Sequence, residues 1–219
     1  MVKPSVAVLG GTGQQGRGIA QRLVLAGFPV VVGSRDPSRA AVAIGEWAAA
    51  TRAVRAATYG EAIASSDVVV LAIPFESVAA SLEEHHQHFR QQALVVDVTV
   101  PLSFANKAVT LAAVPEGSAA EHIKSRLPAH ARLAATFKTV PASLLSDLDR
   151  PLDCDEFVCG DSDEARAGAR ELLEALPGLR AIDVGPLSRA RSIEHLTLLA
   201  VGINRRHKIH DARFRIVGL

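Results

Sequence analysis

Short apolar runs alternate with amphipathic stretches along most of the chain, and this alternation predicts its secondary structure. Three runs are almost wholly apolar, namely Ser5–Leu9, Asp67–Ile73 and Ala93–Val98. Such runs are typical of strands that are covered on both faces of a parallel sheet. Helical spacing follows the first run in Gln15–Ala26, which Gly27 ends. We therefore predict an α/β fold with a Rossmann-type, doubly wound and mostly parallel sheet.

The other predicted elements continue this alternation. Further strands are expected at Pro29–Val32, Leu133–Ala135, Phe157–Cys159, Leu179–Val184 and, as an edge strand, Arg213–Leu219. Further helices are expected at Ser38–Ala50, Thr58–Ala64, Ser77–Arg90, Glu164–Leu176, Ala190–Asn204 and after Ser118, an N-cap with Glu121 three residues on. Leu102–Pro115 is expected to be irregular. We divide the chain into a Rossmann domain, residues 1–145, and a small C-terminal α/β unit, residues 146–219.

The first predicted strand leads into a glycine-rich turn that precedes a helix. Gly11, Gly13 and Gly16 have the spacing G-x-G-x-x-G. Glycines at this spacing allow a sharp turn, a close approach of the backbone to a pyrophosphate, and close packing of the helix on the strand. The phosphates would lie at the helix N-terminus, where unpaired N–H groups favour anions. The turn predicts a dinucleotide site, with a purely structural glycine turn as the alternative.

The second predicted strand ends in a turn without the acidic residue that binds the ribose hydroxyls in NAD-binding forms of the fold. Gly33 and Ser34 occupy that place, and Arg35 follows. Ser34 can donate a hydrogen bond to a 2′-phosphate, and the guanidinium groups of Arg35 and Arg39 can bind it as charged forks. The turn therefore predicts NADP rather than NAD. Solvated surface arginines are the alternative.

Phe75 follows the apolar strand Asp67–Ile73 at its carboxyl end. In open α/β sheets this end faces the ligand crevice. Phe75 is thus a candidate to cover the cofactor, although a plain core aromatic is nearly as consistent with the sequence.

Composition and charge limit the classes of partner. The chain has 219 residues, of which 48% are hydrophobic, and its formal net charge is +1. This argues against a general nucleic-acid or membrane-surface binder, and no apolar run reaches the ~18 residues of a membrane helix. We expect a cytoplasmic protein without a signal peptide. Cys154 and Cys159 fit no common zinc pattern, and His85, His86 and His88 lie in a polar stretch, so we expect no metal site.

Several stretches together resemble the small NADPH-dependent reductases of the deazaflavin coenzyme F-420. They occur in order along nearly the whole chain, and the Gly-Ser-Arg turn combined with the later stretches is more specific than the glycine spacing. The stretches are Leu9–Gly13, Val31–Arg35, Ala72–Glu76, Gly117–Glu121, Val140–Ala142, Val158–Asp161 and Gly185–Ser188.

The resemblance implies which residues bind the two cofactors. Those expected at the NADP pyrophosphate are Gly11, Thr12, Gly13, Gln14 and Gln15, and those at its 2′-phosphate are Ser34, Arg35 and Arg39. Those expected near the nicotinamide are Phe75, Val100 and the backbone of Ala142. Those expected near the acceptor ring are Lys138, Thr139 and Pro141. The C-terminal unit would cover this ring. Homodimers are usual in this family.

The expected chemistry needs no catalytic side chain. Hydride transfer between nicotinamide C4 and deazaflavin C5 is carbon to carbon, and the cofactors supply it. The protein must hold the two carbons roughly 3–3.5 Å apart and exclude water. We therefore assign no catalytic residue.

The chain departs from the resemblance at Lys138, because family members often carry a histidine before the Thr-x-Pro-Ala segment. Its C-terminus is also basic, with Arg205, Arg206, His207, Lys208, His210, Arg213 and Arg215. These cations are either solvated or pair with an anionic acceptor, such as the phosphodiester and glutamates of coenzyme F-420 or a phosphorylated flavin. An NADPH-dependent flavin or ferric reductase and a non-catalytic NADP sensor therefore remain alternatives.

Overall fold

The computed structural model describes residues 3–48, 53–105 and 108–219. In chain order, the strands of this part are β1 (Val6–Leu9), β2 (Val30–Gly33), β3 (Val54–Ala57), β4 (Val68–Leu71), β5 (Leu94–Asp97), β6 (Leu102–Ala105), β7 (Ala108–Leu111), β8 (Arg132–Ala135), β9 (Cys154–Gly160) and β10 (Leu179–Pro186). Its helices are α1 (Gln14–Leu25), α2 (Pro37–Ala48), α3 (Tyr59–Ala64), α4 (Phe75–His85), α5 (Ala119–Lys124), α6 (Ala142–Ser146), α7 (Asp163–Glu174) and α8 (Ala190–His207). Short 3-10 turns lie at His86–His88 and Leu187–Arg189.

Eight strands form one sheet in the order β10-β9-β8-β5-β4-β1-β2-β3. All neighbours are parallel except β8 and β9, which pair antiparallel at Ala134–Gly160 and Ala135–Cys159. The order reverses at β1, which lies between β2 and β4, and this reversal marks the ligand crevice of a doubly wound sheet. The predicted fold class is confirmed.

The apolar strands are covered on both faces, as their sequences predict. Val6 and Val8 of β1 point into a core with α1, α2, α6 and α7, whereas Ala7 and Leu9 point into a second core with α3, α4 and α5. Successive side chains of a strand point to opposite faces, so a strand between two helical layers has to be apolar throughout. A third cluster joins α5 and α8 to the sheet through Ile193.

Two expectations about local structure are wrong. Leu102–Pro115 is not irregular throughout, because β6 and β7 form an antiparallel pair on either side of residues 106–107, and of its described residues only 112–115 lie outside these strands. Apolar and polar residues alternate in Leu102–Phe104 and in Val109–Leu111, and this alternation is typical of strands. The tail Arg213–Leu219 is not an edge strand, because only Phe214 bridges to Asp155.

Of the other strands, β9 begins well before its predicted start, and β3 is unpredicted. β9 begins at Cys154, three residues before the predicted start, because its charged Asp155 and Glu156 are buried and their carboxylates accept hydrogen bonds. β3 is not among the predicted elements. It follows the predicted helix Ser38–Ala50, whose last two residues lie outside the described part of the chain.

The strands of both predicted units belong to the same sheet, since β9 and β10 extend it beyond β8. Within the residues described, no helix is long and apolar enough to cross a membrane.

Candidate active site

The glycine turn after β1 brings three backbone segments into close contact. Gly10 has φ +80°, and a Cβ atom on it would lie 2.5 Å from the carbonyl oxygen of Ala72 after β4. A Cβ atom on Gly16 would lie 2.5 Å from the carbonyl oxygen of Gly10. The sharp turn is therefore made at Gly10, and Gly16 allows α1 to begin directly against it.

The N-terminus of α1 is open to a ligand. Gly13 is its N-cap residue and is exposed, as are Thr12 and Gln14. A Cβ atom on Gly13 would have only the carbonyl oxygen of Gly10 within 4 Å, so the space in front of the helix is clear. The first turn carries no acidic side chain. Backbone N–H groups and the helix dipole thus face a space that suits a pyrophosphate.

The turn after β2 lies next to the glycine turn. The N–H of Gly10 donates to the carbonyl oxygen of Gly33 at 3.2 Å. The Ser34 hydroxyl accepts from the N–H of Asp36 at 3.1 Å, and the Asp36 carboxylate accepts from the N–H of Arg39 at 3.0 Å. Asp36 thereby caps the start of α2. The side chains of Arg35 and Arg39 are exposed beside Ser34.

Tyr59 is a neighbour of this turn that the sequence analysis did not single out. A Cβ atom on Gly33 would lie 3.2 Å from Cδ1 of Tyr59. Burial raises the pKa of the Tyr59 hydroxyl, and the nearby Arg35 charge opposes this shift. The ring also meets His85 edge-on, with centroids 6.0 Å apart. Tyr59 is the first residue of α3 and follows the N-cap residue Thr58 at the carboxyl end of β3. This position in the chain could have identified it as a neighbour of the crevice.

A cavity of about 360 Å³ lies at the carboxyl ends of β1, β4, β5 and β8. The predicted residues Gly13, Gln15, Phe75, Val100 and Lys138 all line it. Further lining residues are Ala72, Ile73, Pro74, Val98, Thr99, Leu102 and, from α8, Thr197. The cavity therefore joins the glycine turn to the C-terminal helix.

Hydrogen bonds from two side chains to backbone carbonyl oxygens fix the segment after β8 against this cavity. The Gln15 amide donates to the carbonyl oxygen of Phe137 at 2.6 Å, and Phe137 has φ +54°. The Thr197 hydroxyl donates to the carbonyl oxygen of Lys138 at 2.9 Å. α1 and α8 thus hold the same short segment from two sides.

Lys138 is buried in an ion-pair cluster. Its Nζ lies 2.6 Å from Oδ2 of Asp97 and 3.4 Å from Oε1 of Glu194, and it also donates to the Thr99 carbonyl oxygen. Burial by itself lowers the pKa of Lys138, but the charges of Asp97 and Glu194 outweigh it and the pKa is raised. Burial raises the pKa of Glu194. The Lys138 ammonium is therefore charged and paired with protein carboxylates.

Glu156 of β9 also holds the segment that follows β8, through hydrogen bonds to Lys138 and Thr139. Its carboxylate accepts hydrogen bonds from the N–H of Lys138 at 2.9 Å, the N–H of Thr139 at 3.1 Å and the Thr139 hydroxyl at 2.6 Å. Burial raises the pKa of Glu156 to about 7, although these donors oppose the shift. The Thr139 side chain is thus directed at Glu156 and not at the cavity.

Pro141 and Ala142 begin α6, with Pro141 as the N-cap residue. Arg22 of α1 is buried and donates to the carbonyl oxygens of Leu144 and Leu145, both at 2.9 Å. These bonds attach α6 to α1. Pro141, Ala142 and Gly11 are not among the residues that line the cavity, and Gly11 packs against Val32 of β2.

Sequence and structure comparisons identify the family. Residues 5–101 match the family described as NADP oxidoreductase, coenzyme F420-dependent. The chain is 39% identical to the F420-dependent NADP reductase of Methanothermobacter thermautotrophicus, over 98% of this chain and 95% of the other. It is 34% identical to the one of Methanocaldococcus jannaschii, over 98% of both chains. The chain belongs to the F420-dependent NADP reductase family.

A solved structure agrees with this membership. The crystal structure of an Arthrobacter sp. FB24 protein, described as an F420-dependent NADP reductase, has a TM-score of 0.84 and 29% sequence identity and covers 98% of this chain. It matches 99% of that protein, so the β9, β10 and α8 region is included in the similarity. In the family context, the described cavity lies where the dinucleotide crevice of the fold is expected.

Proposed function

We propose that this protein is an oxidoreductase that transfers a hydride between NADP(H) and the deazaflavin coenzyme F-420. The observation that carries the proposal is a single cavity. It connects the open N-terminus of α1 to α8, and the basic turn after β2, which has no ribose-binding carboxylate, lies next to the glycine turn. Family membership over nearly the full chain supports the same function.

The residues around the glycine turn fit NADP. Gly13 leaves the α1 N-terminus clear for phosphate oxygens, and Thr12 and Gln14 are exposed beside it. Arg35 and Arg39 are exposed next to Ser34, where a 2′-phosphate requires cations. Asp36, the acidic residue in this turn, has its carboxylate directed at the start of α2. This arrangement favours NADP over NAD.

The residues around the cavity fit two stacked rings. Phe75 is half-buried and packs against the ring of His122, with centroids 5.2 Å apart. Val98, Val100 and Thr197 provide further apolar or hydroxyl surface. In our proposal, Phe75 and Val100 flank the nicotinamide, and Lys138 and Thr197 border the acceptor.

When bound, NADPH supplies a hydride at nicotinamide C4, and the deazaflavin accepts it at C5. The protein contributes position and a dry environment. The bonds of Gln15 and Thr197 to Phe137 and Lys138 hold the two sides of the cavity at a fixed separation. Apolar side chains that follow β4 and β5, together with Leu102 of β6, exclude water from the reacting carbons in this proposal. The Lys138 cation is paired with Asp97 and Glu194, so its ammonium group is held within the cavity wall.

An absorbance assay tests this function. NADPH is mixed with the purified protein and, separately, oxidised coenzyme F-420, FMN, FAD or a ferric chelate. We expect oxidation of NADPH with coenzyme F-420 and much slower oxidation with the other acceptors. Equal or faster rates with FMN or FAD would favour the flavin reductase instead. Tight NADPH binding without oxidation by any acceptor would favour the NADP sensor.

Further expectations accompany this proposal. We infer a homodimer in the cytoplasm, which has small-molecule partners and no nucleic-acid partner. The resemblance to the family supports the dimer, and the balanced net charge of +1 supports the absence of nucleic-acid binding. We also keep the functional division at residue 145, with the C-terminal part completing the acceptor side of the cavity through Thr197. Sedimentation at micromolar concentration measures the oligomeric state.

A further inference from the structure

We propose that His122 is a positioning residue for hydride transfer, which acts by holding the ring of Phe75 in the wall of the cavity. This inference rests on the proposed function and deepens it, because we place Phe75 beside the nicotinamide. His122 lies on α5 and is not among the residues that line the cavity. It can therefore affect the reacting carbons only through a neighbouring side chain.

Helix α4 fixes the backbone of Phe75 but not the direction of its ring. Phe75 is the first residue of α4, after the N-cap residue Pro74, and its side chain is half-buried at the cavity. A residue at this position has no preceding helical turn that would restrict its χ1 angle. The direction of the ring therefore depends on packing against another element.

The imidazole ring of His122 provides this packing. Its centroid lies 5.2 Å from the centroid of the Phe75 ring, and the two ring planes are tilted by 55° to each other. Aromatic rings at such a separation and tilt attract each other, because the positive edge of one ring approaches the negative face of the other. Phe75 thus contacts both the cavity and α5.

Glu116 fixes the ring of His122 in turn. Nδ1 of His122 lies 3.0 Å from Oε2 of Glu116, and Arg126 donates to Oε1 of the same carboxylate at 2.9 Å. The hydrogen bonds from His122 and Arg126 lower the pKa of Glu116 to about 2, so at neutral pH its carboxylate is ionised and can only accept. Nδ1 of His122 therefore carries the proton of this hydrogen bond, which sets the orientation of the imidazole. Arg126 also donates to the His122 carbonyl oxygen at 2.9 Å.

The helix that carries His122 is anchored at its first turn. The Ser118 hydroxyl caps α5 by accepting a hydrogen bond from the N–H of Glu121 at 3.1 Å. At the same end, the N–H of Ala119 donates to the buried carboxylate of Glu194 on α8 at 3.0 Å. His122 is thus held through its backbone as well as through its ring, and it can fix the position of a neighbouring ring.

Single-turnover kinetics test the inference. Protein saturated with NADPH is mixed with oxidised coenzyme F-420, and the rate of hydride transfer is followed by absorbance. His122→Ala should lower this rate by about two- to tenfold, which is the range that corresponds to the packing of one aromatic pair. The Kd for NADPH, measured by a separate titration, should stay close to that of the unmodified protein, because His122 does not line the cavity.

A double variant tests whether His122 acts through Phe75. Phe75→Ala by itself should slow hydride transfer. His122→Ala added to Phe75→Ala should lower the rate no further, because the ring that His122 positions is already absent. A residue that only supports the fold would instead lower the rate by the same factor in both backgrounds.

Further variants separate the ring contact from the hydrogen bond. His122→Phe keeps a ring beside Phe75 but cannot bond to Glu116, and it should be clearly faster than His122→Ala. His122→Asn keeps a donor for Glu116 without a ring, and it should be as slow as His122→Ala, which it replaces if that variant does not fold. The matched control is His86→Ala, which removes an exposed imidazole from the groove beside Arg126 and should retain the original rate.

The outcomes distinguish the two proposals. If the unmodified protein transfers no hydride to coenzyme F-420, the proposed function and the positioning role both fail. If the unmodified protein is active and His122→Ala keeps its rate, the function stands and the positioning role is wrong. The role is likewise overturned if His122→Ala slows the Phe75→Ala variant as much as it slows the unmodified protein, or if His122→Phe is no faster than His122→Ala.

Discussion

The ammonium group of Lys138 lies 2.6 Å from Oδ2 of Asp97, and neither side chain is exposed to solvent. A second carboxylate, from Glu194, lies 3.4 Å from the ammonium group. Glu194 also accepts a hydrogen bond from the N–H of Ala119 at 3.0 Å. The cluster thus connects β5, the segment after β8, α5 and α8 at the wall of the cavity.

Removing the cation from this cluster should be costly. Lys138→Met leaves Asp97 and Glu194 buried without their partner, and loss of one member of a buried pair typically costs about 3–5 kcal/mol. Urea unfolding should show a decrease of that order in the free energy of unfolding.

A double variant provides the control for this prediction. Lys138→Met combined with Asp97→Asn removes one buried charge of each sign, so it should be less destabilised than the sum of the two single variants. Strict additivity of the three measurements would contradict a shared cluster. Glu174→Gln, an exposed carboxylate on α7, should change stability by less than about 0.5 kcal/mol.

Arg35 should determine the preference for NADPH. Arg35→Ala removes a charge-assisted bond to the 2′-phosphate, which is worth about 1.5–3 kcal/mol. The KM for NADPH should therefore rise by about tenfold or more, while the KM for NADH stays near its original value. The matched control is Arg170→Ala, which removes an exposed arginine that pairs with Glu174 on α7. This variant should retain the original ratio of the KM values for NADPH and NADH. An unchanged NADPH/NADH preference in Arg35→Ala would remove the 2′-phosphate assignment.

The parts of the site that the sequence could predict are those with local chemistry. The glycine turn and the Ser34–Arg35 turn each need only a few adjacent residues, because backbone geometry and side-chain type determine what each can bind. The order of β1 and β2 then places the two turns together. The position of Phe75 at the cavity was predictable for the same reason, since the carboxyl end of a parallel strand faces the crevice.

The parts that the sequence could not predict depend on distant contacts. Lys138 and Glu194 are far apart in the chain, and only the fold shows that they are paired. The same holds for Glu156. A charged residue is unusual at a buried strand position, and only the fold shows that its carboxylate accepts hydrogen bonds from the N–H groups of Lys138 and Thr139. The hairpin of β6 and β7 has a local alternation that predicts strands, but its role as a wall depends on its packing against α8.

Close packing of α1 on α6 gives a stability prediction that compares two glycines. A Cβ atom on Gly18 would lie 2.7 Å from Cβ of Leu145, so Gly18→Ala should destabilise the protein by about 1–3 kcal/mol. A Cβ atom on Gly45 in α2 has nothing within 4 Å, so Gly45→Ala should stabilise it by about 0.5–1 kcal/mol. Thermal unfolding of both variants measures the difference. Equal effects of the same sign would contradict the packing described for α1 and α6.

Burial of Glu156 gives the stability a dependence on pH. The pKa of Glu156 rises from 4.5 in the unfolded chain to about 7 in the folded protein. The folded state therefore binds the proton more tightly, so this contribution to stability is fully present below pH 4.5 and is lost as the pH rises through 7. The difference between the two pKa values corresponds to about 3 kcal/mol.

Urea unfolding between pH 5 and pH 8 measures this contribution. The unmodified protein should lose stability across that range, and Glu156→Gln should lose less because its side chain does not titrate. Some decline should remain, since burial raises the pKa of Glu194 in the same direction. Glu116, whose hydrogen bonds with His122 and Arg126 lower its pKa to about 2, acts only at more acidic pH. Glu174→Gln serves as the control, and its free energy of unfolding should change with pH as in the unmodified protein. If the free energy of unfolding of Glu156→Gln changed with pH to the same extent, Glu156 would not be the group that titrates.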